Sequence, residues 1–481
     1  MRLIKNPIKF GTDGWRGIIA QDFTFDNVRA CAQGVADYLR ESGLAKKRLI
    51  IGYDTRFASE DFAAAAVEVI AGNGIKVYLC PKATPTPVVS YGVMAKQAGG
   101  AIIITASHNP AIWNGFKYKT ADGASAPTEV IAKVEKNISH SLATGKINRM
   151  PLAKALEQSM VEYLDLAPIY FEHLPKLIDP NEVRRARLKV IVDSMYGAGA
   201  GYFKTLLDGG AIEVVEINGE RNPLFPSMKQ PEPIEINLGG LSGEVKRRKA
   251  DIGLATDGDA DRIGIIDENG KFLTPLQVFA LLSLYLLEVR GERGTIVKTI
   301  TTTSMLYRLG ELFKVPVHET AVGFKYVAPI MMSENGLIGG EESGGYGFRG
   351  HVPERDGILA GLYFLDFMIK AGKKPSELLK YLYSKVGEHQ FKRVDVEFPG
   401  EERQAITNRL RDNAPQTIGG VKVVKVDTFD GFRFTLADGS WILIRFSGTE
   451  PILRIYAESD SKVRVEKLTE FARKLARVTK D

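Results

Sequence analysis

A serine between an apolar run and a proline is the first feature whose residue types could do chemistry. Ser107 follows the apolar residues 100–104, which have the composition of a buried parallel strand. Open α/β sheets place their reactive loops at the carboxyl edge of such strands, and Asn109 before Pro110 favours a turn there. The pattern predicts that Ser107 is held on a rigid loop. Taken alone, it is equally compatible with an ordinary strand-ending turn.

Three aspartates at alternate positions form the second feature. Asp257, Asp259 and Asp261 are separated by small residues, so they can direct three hard oxygen ligands to one divalent cation. The apolar segments on both sides predict a strand–loop–strand hairpin. An EF-hand would need two helices, and glycine at the sixth position, where this chain has Arg262. Because like charges this close repel unless a cation neutralises them, we interpret the loop as a metal site rather than as three solvated aspartates.

A glycine-rich segment at residues 339–347 carries Glu341 and Ser343. Glycine lets the backbone approach a ligand closely, and the two side chains can bond hydroxyl groups. This combination favours a polyol over a phosphate as the ligand. The alternative interpretation is a flexible glycine-rich turn.

A fourth loop, residues 445–451, follows the strand-like residues 441–444. It combines the planar guanidinium of Arg445 with two hydroxyl groups and with the backbone amides around a glycine, which favours phosphate binding. The alternative is an ordinary turn with a surface arginine.

Together, and in this order, the four loops resemble those of the α-D-phosphohexomutases, the phosphoglucomutase and phosphomannomutase family. The resemblance covers essentially the whole chain, from the motif at residues 10–17 to the last loop. It implies that Ser107 carries a phosphate in the resting enzyme, and that the three aspartates and Ser107 hold one Mg²⁺. It also implies that Glu341 and Ser343 bind sugar hydroxyls. The residues that would bind the non-reacting phosphate are Arg445, Ser447, Gly448 and Thr449.

The resemblance extends to several cationic residues. Arg16 matches the arginine of the family's N-terminal motif, and Lys117 matches its candidate general acid/base. Lys325 lies in a segment similar to the Gly-Trp-Lys of phosphoglucomutases and is expected to face the substrate. Which lysine exchanges the proton stays open; as a base, Lys117 would need surrounding positive charge to depress its pKa. Arg262 is a further candidate for substrate binding.

Two positions beside these loops need separate interpretation. His108 neighbours the catalytic serine, and we interpret it as a local hydrogen-bonding residue of the site rather than as a general base. Gly344 and Gly345 stand where phosphomannomutase-type members often carry Gly-His, which leaves the hexose preference open.

The resemblance implies interconversion of hexose 1-phosphate and hexose 6-phosphate, with glucose preferred and mannose also accepted. The phosphoserine and a hexose 1,6-bisphosphate, which also serves as activator, would carry the phosphoryl group. Alternatives are a phosphoglucosamine mutase and a non-catalytic sugar-phosphate sensor on the same fold. A serine hydrolase is disfavoured, because the Gly-x-Ser-x-Gly elbow is missing around Ser107.

Length and composition agree with this interpretation. A chain of 481 residues is too long for one core. Alternating strand and helix patterns predict three tandem α/β domains with mixed, mostly parallel sheets and a C-terminal α+β domain, arranged around a central cleft. The predicted boundaries give domains at residues 1–155, 156–268, 269–380 and 381–481, each of which contributes one loop.

The charge and cysteine content restrict the partners. With 64 basic and 58 acidic residues, a net charge of +6 is too small and too dispersed to indicate nucleic acid. The longest apolar run, residues 278–287, is too short to span a bilayer and predicts a buried helix. Two cysteines and no apolar N-terminal signal favour a reducing cytoplasm. We therefore expect small hexose phosphates as partners, no membrane association, and a monomer or homodimer.

Overall fold

The computed structural model describes residues 8–447 and 452–478. Its first domain is a six-stranded sheet between helices, in the strand order β1-β5-β4-β2-β3-β6. The strands are β1 Trp15–Ile18, β2 Leu49–Tyr53, β3 Val77–Leu79, β4 Ala101–Ile104, β5 Trp113–Lys119 and β6 Val161–Tyr163. The helices are α1 Phe25–Glu41, α2 Ser59–Gly72, α3 Thr86–Ala95, α4 Thr128–Thr144 and α5 Leu152–Glu157.

The central strands of this sheet are buried on both faces because helices cover them. All four residues of β4 are buried, and β4 runs parallel to β2 but antiparallel to β5. Since β6 pairs with β3, the first sheet extends to Tyr163, beyond the domain boundary predicted at residue 155.

The second domain contains a five-stranded sheet in the order β11-β10-β9-β7-β8. The hairpin predicted around the three aspartates is confirmed, because β9 and β10 pair antiparallel. The strands are β7 Lys189–Asp193, β8 Glu213–Ile217, β9 Ile252–Thr256, β10 Ile263–Ile266 and β11 Phe272–Leu273. The helices are α6 Ala167–His173, α7 Pro180–Arg185, α8 Tyr202–Leu207 and α9 Gly239–Arg248.

The third domain contains a four-stranded sheet in the order β13-β12-β14-β15. Its strands are β12 Ile296–Thr299, β13 Val317–Thr320, β14 Ile338–Gly340 and β15 Tyr346–Phe348. Its helices are α10 Pro275–Leu284, α11 Met305–Phe313, α12 Phe324–Ser333, α13 Gly357–Ala371 and α14 Pro375–Val386. The buried helix predicted from the apolar run is confirmed by α10, which continues as a π-helical turn over Tyr285–Val289. The predicted boundary at residue 380 falls inside α14.

The fourth domain is an antiparallel six-stranded sheet in the order β16-β21-β20-β19-β18-β17, packed against α16. Its strands are β16 Gln390–Glu397, β17 Thr417–Ile418, β18 Val421–Asp427, β19 Phe432–Leu436, β20 Trp441–Phe446 and β21 Ile452–Ser459. Its helices are α15 Arg403–Asp412 and α16 Lys462–Ala476. The predicted fold class, three mixed α/β domains followed by an α+β domain, is confirmed.

One apolar core runs through the first three domains. It includes Ile50 from the first sheet, Val192 from the second and Phe364 from α13 of the third, all essentially buried. A separate apolar cluster packs Trp441 of the fourth domain against Ile300 of the third. This packing fixes the loops of the different domains relative to one another. No helix within the described ranges is both long and apolar enough to cross a lipid bilayer.

Candidate active site

Ser107 lies directly against the aspartate loop. Its buried Oγ donates a 2.8 Å hydrogen bond to Oδ2 of Asp257. Its backbone has φ +50°, in the left-handed region that residues with a Cβ rarely adopt, and its N–H donates to Oγ1 of Thr105 at 2.8 Å. A Cβ at Gly258 would lie 2.4 Å from the carbonyl oxygen of Ser107. Glycine at this position therefore allows the two loops to approach this closely.

The three aspartates form a donor set that fits a hard divalent cation. All three are buried, and one ligand atom from each lies within 4.8 Å of the others. Oδ1 of Asp257 accepts the backbone N–H groups of Asp261 and Arg262. In contrast, Oδ1 of Asp259 and Oδ1 of Asp261 are buried without a hydrogen-bond partner in the described part of the chain. Buried carboxylate oxygens of this kind are costly unless a cation binds them.

Burial and mutual repulsion set the proton affinity of these carboxyls. Burial, followed by the charges of Asp261 and Asp259, raises the pKa of Asp257 well above its usual range. Burial also raises the pKa of Asp261. Burial acts in the same direction on Asp259, but the ammonium group of Lys117 outweighs it and lowers the pKa of Asp259. A cation near the loop therefore decides whether all three carboxyls are ionised.

Lys117, on β5, supplies such a cation. Its Nζ lies 2.7 Å from Oδ2 of Asp13, 2.8 Å from Oδ2 of Asp259 and 3.4 Å from Oδ2 of Asp261. Burial acts to lower the pKa of Lys117, but the charges of these three carboxylates raise it overall. A role as base would require positive surroundings that depress this pKa, and that condition is not met here, because the nearest charges are negative. Lys117 is protonated in this arrangement.

Arg16 and Arg262 are two further cations near the serine loop. The Nη1 group of Arg16 donates to Oδ1 of Asn109 at 2.5 Å, and that of Arg262 donates to Oε1 of Glu232 at 3.1 Å. Burial, followed by the charge of Arg262, lowers the pKa of Arg16. The two guanidinium groups, that of Arg16 half-buried and that of Arg262 buried, favour an anionic group near the serine loop.

His108 faces the serine with one ring nitrogen and a carboxylate with the other. Nδ1 lies 3.4 Å from Oγ of Ser107, and Nε2 lies 3.9 Å from Oε1 of Glu232. Burial, followed by the charges of Arg262 and Arg16, lowers the pKa of His108 well below its usual range. A neutral imidazole agrees with the interpretation of His108 as a local hydrogen-bonding residue.

Arg355, which precedes α13, was missed by the sequence analysis. Its Nη2 lies 2.6 Å from Oδ2 of Asp13 and 2.8 Å from Oδ2 of Asp261, and its Nη1 lies 3.3 Å from Oε2 of Glu341. One buried guanidinium thus joins loops from three domains. No spacing rule relates Arg355 to these partners, so only the fold reveals it.

A second buried network was also missed. Nζ of Lys119 lies 2.5 Å from Oε2 of Glu354 and 3.2 Å from Oδ1 of Asp13, and it donates to Oγ of Ser125. The sequence did contain a signal for Lys119. Alternate residues of a strand point to the same face, so Lys119 lies beside Lys117 on β5. This network holds Asp13 in position.

The loop with Glu341 and Ser343 connects β14 and β15 and packs on the aspartate hairpin. The carbonyl oxygen of Gly344 accepts the N–H of Ile263 at 3.0 Å. Burial raises the pKa of Glu341 to about 7, against the opposing charge of Arg355. Ser343 is half-buried in the same turn.

Gly345 has a steric reason to lack a side chain. A Cβ there would lie 2.4 Å from Cδ of Arg355, a distance that real Cβ contacts do not adopt. The departure from the Gly-His pattern is thus coupled to Arg355, whose side chain occupies that space.

Arg445, in the described part of the fourth-domain loop, is connected through Asp430 to the third domain. The Nε of Arg445 donates to Oδ1 of Asp430 at 2.8 Å, while Oδ2 of Asp430 accepts the N–H of Val322 at 2.8 Å. Ser447 is buried just after β20. The two remaining predicted phosphate contacts lie outside the described residues: Gly448 and Thr449.

Lys325 lies in the first turn of α12, three residues after Val322, and is half-buried. Its Nζ lies 5.3 Å from the ring centroid of Tyr326. Within the described ranges, no ion pair or hydrogen bond joins Lys325 or Arg445 to Ser107. The structure therefore gathers the serine, the aspartates, Lys117 and Glu341, and leaves Lys325 and Arg445 outside that cluster.

Three α/β domains that contribute a serine loop, an acidic hairpin and a polar glycine-rich turn to one cluster, followed by an antiparallel fourth domain, define the phosphohexomutase class. Family models for phosphoglucomutase/phosphomannomutase domains I, II and III, the alpha/beta/alpha domains, match residues 7–144, 168–270 and 274–386, and the model for the C-terminal domain matches residues 402–475. The chain belongs to the phosphoglucomutase/phosphomannomutase family, a family of isomerases. The resemblance inferred from the four loops is confirmed.

Individual proteins are similar over nearly the full length. A "Phosphoglucomutase/phosphomannomutase" from Thermococcus kodakarensis is 33% identical, over 97% of this chain and 98% of the relative. A "Probable phosphoglucosamine mutase" from Methanosphaera stadtmanae is 30% identical, over 95% of each chain. The crystal structure of a "putative phosphomannomutase" from Thermus thermophilus is 36% identical, with a TM-score of 0.85 over 98% of this chain and 99% of that one.

Proposed function

We propose that this protein interconverts hexose 1-phosphate and hexose 6-phosphate through a phosphoserine at Ser107 and a hexose 1,6-bisphosphate intermediate. The observation that carries the proposal is the hydrogen bond from Oγ of Ser107 to Asp257, beside buried oxygens of Asp259 and Asp261 that have no hydrogen-bond partner in the described part of the chain. A phosphate on this serine would stand among Arg16, the protonated Lys117 and a carboxylate set that fits magnesium.

The reaction requires two transfers in opposite directions. In the first, the bond between phosphorus and Oγ of Ser107 breaks while the bond to O6 of a hexose 1-phosphate forms, and the hydroxyl proton ends on Oγ. The bisphosphate then turns end for end and returns its other phosphate to Ser107. Mg²⁺ held by Ser107 and the three aspartates would neutralise charge on the phosphoryl oxygens. Lys117 would assist as a protonated donor rather than as a base.

The other loops would hold the parts of the substrate that do not react. Glu341 and Ser343 would bind sugar hydroxyls, with Glu341 oriented by Arg355. Arg262 and Lys325 would contact the substrate from either side. The phosphate at the far end would be bound by the fourth-domain loop, which comprises Arg445, Ser447, Gly448 and Thr449.

We propose glucose as the preferred sugar, with mannose also accepted, on the basis of the segment around Lys325. Glucose and mannose differ at C2, and contacts there are worth only about 1–3 kcal/mol, which permits dual specificity. A glucosamine phosphate is the alternative substrate, supported by the likeness to the Methanosphaera stadtmanae relative.

The test is a side-by-side assay of glucose, mannose and glucosamine 1-phosphates with magnesium and a trace of the matching 1,6-bisphosphate. The sugar 1-phosphate that is converted to its 6-phosphate most efficiently identifies the preferred substrate. Ser107→Ala should lose at least ~10³-fold in turnover, because the covalent carrier disappears, whereas Ser139→Ala on the exposed face of α4 should not. Normal turnover in Ser107→Ala would overturn the mechanism, and no conversion of any sugar would favour the sensor.

A further inference from the structure

Arg56, in the loop after β2, has an acceptor for every N–H of its guanidinium. Its side chain is fully buried, and its Nε lies 3.1 Å from Oδ2 of Asp54. The other four N–H groups donate to backbone carbonyl oxygens of the serine loop and of the first residue of β5 at 2.6–3.0 Å. Those carbonyls belong to Ser107, Asn109, Pro110 and Trp113.

Only an arginine side chain can satisfy four carbonyl oxygens and a carboxylate in this way. Four carbonyls directed at one point would repel one another without a cation between them. Only a planar guanidinium offers five donors in a fixed fork; the ammonium of lysine has three. The serine loop, which has no regular secondary structure between β4 and β5, therefore takes its shape from one buried side chain.

The same pair of residues also holds the start of the loop. Oδ2 of Asp54 accepts the hydroxyl of Thr105 at 2.6 Å, and Oγ1 of Thr105 in turn accepts the N–H of Ser107 at 2.8 Å. The N–H of Ser107 is thus bonded to Thr105, which Asp54 holds, and the carbonyl oxygen of Ser107 is bonded directly to Arg56. Both bonds help to maintain the left-handed backbone of Ser107, which directs Oγ to Asp257.

Two residues of the second domain contact Arg56 and the residue before it. Arg221 donates to the carbonyl oxygen of Thr55 at 3.1 Å and to that of Arg56 at 3.2 Å. The ring of Phe225 lies 5.1 Å from Cζ of Arg56. The domain that carries the aspartates therefore also fixes the residue that shapes the serine loop.

We propose that Arg56 is a positioning residue for phosphoryl transfer, which sets the orientation of Ser107 toward the aspartates. In the part of the chain that the structure describes, its side-chain hydrogen bonds go to the loop backbone and to Asp54, and none goes to Glu341 or Ser343. This inference rests on the proposed phosphoserine mechanism, because it assigns Arg56 to the transfer step and not to hexose binding. A small displacement of a reacting atom can cost about 10²-fold in rate.

The first test compares Arg56→Lys with Arg248→Lys, a partly exposed control on α9 that pairs with Glu244. Arg56→Lys keeps the charge but cannot reach four carbonyls. We expect its kcat to fall at least ~10²-fold with the KM for hexose 1-phosphate within about twofold of wild type, and with slower phosphorylation of Ser107 by the bisphosphate. An unchanged kcat, or a KM that rises in step with a falling kcat, would overturn the proposal.

Amide hydrogen exchange shows whether the effect is local. In Arg56→Lys, exchange should accelerate in residues 105–113 and stay unchanged in α13; unchanged exchange in that loop, or acceleration throughout, would contradict a positioning role. Arg56→Ala, assayed with and without added guanidinium ion, gives a second variant. Partial recovery of kcat by the ion would support the proposal, and absence of any recovery would contradict it. If wild-type Ser107 takes no phosphate, the proposed function fails, while the exchange rates still test the loop contacts.

Discussion

The ammonium nitrogen of Lys117 lies 2.8 Å from Oδ2 of Asp259. Both side chains are buried, Lys117 on β5 of the first domain and Asp259 on the hairpin of the second. Because Lys117 also contacts Asp13 and Asp261, one ammonium group meets three carboxylates, and Arg355 shares two of them. The charge of this lysine therefore stabilises the contact between two domains as well as the proposed metal site.

Lys117→Met should weaken the contact between the two domains and leave the acidic cluster without this cation when magnesium is absent. Removal of one partner from a buried ion pair costs about 3–5 kcal/mol, so the Tm in EDTA should fall. Magnesium should raise the Tm of the variant more than that of wild type, because the variant's carboxylates lack their resident cation. Turnover should fall at least ~10²-fold. Lys82→Met, which breaks an exposed pair with Asp165, is the matched control, and equal Tm values for the two variants in EDTA would contradict this account.

The sequence was sufficient to predict those features of the structure that depend on residues close together in the chain. The hairpin around Asp257 follows from apolar runs on both sides of an acidic loop, and the helix α10 follows from its apolar run. Partners that the fold brings together were not accessible: Arg355 meets Asp13 across 342 positions. The charges around Lys117 were not accessible for the same reason, since its nearest carboxylates come from distant segments.

Arg445→Ala should mainly weaken phosphate binding. A charge-assisted contact is worth about 1.5–3 kcal/mol, so we expect the KM for hexose 1-phosphate to rise by roughly 10–100-fold with a smaller change in kcat. Asp430→Asn should act in the same direction but less strongly, because it keeps an acceptor for Val322 while it weakens the ion pair with Arg445.

Steady-state kinetics at saturating magnesium would measure both effects. Arg464→Ala, in the same domain and paired with Asp438, provides the control for loss of a surface arginine. If the KM of Arg445→Ala equals that of this control, Arg445 does not bind the substrate phosphate.

Gly345→Ala should disturb the site through Arg355. The added Cβ would lie 2.4 Å from Cδ of Arg355, so the guanidinium must leave Asp261 and Glu341 or the turn must shift. Overpacking of this kind costs about 1–3 kcal/mol, and activity should fall with it. Gly243→Ala is the matched control, because its Cβ meets nothing within 4 Å inside α9, where alanine stabilises a helix by about 0.5–1 kcal/mol. Thermal unfolding should move in opposite directions for the two variants, and a shared direction would argue against the steric account.

A stacked histidine should make stability depend on pH. The ring of His173 stacks on Tyr91 at 4.1 Å and on His351 at 5.2 Å, and both of its nitrogens are buried without a partner in the described ranges. Burial, followed by the charge of His351, lowers the pKa of His173 to about 4. The folded protein therefore keeps this ring neutral at pH values where the unfolded chain, with a pKa of about 6.5, already binds a proton.

The sign of the effect follows from that difference. Stability from His173 is complete above pH ~6.5 and is lost as the pH falls toward 4, by about 2–3 kcal/mol in total. His173→Phe keeps the stacked ring but cannot titrate, so its free energy of unfolding should fall less than that of wild type over the same range. Chemical denaturation at several pH values between 7.5 and 4.5 would measure the difference, with His140→Phe on the exposed face of α4 as control. Parallel curves for wild type and His173→Phe would show that this ring does not set the acid stability of the protein.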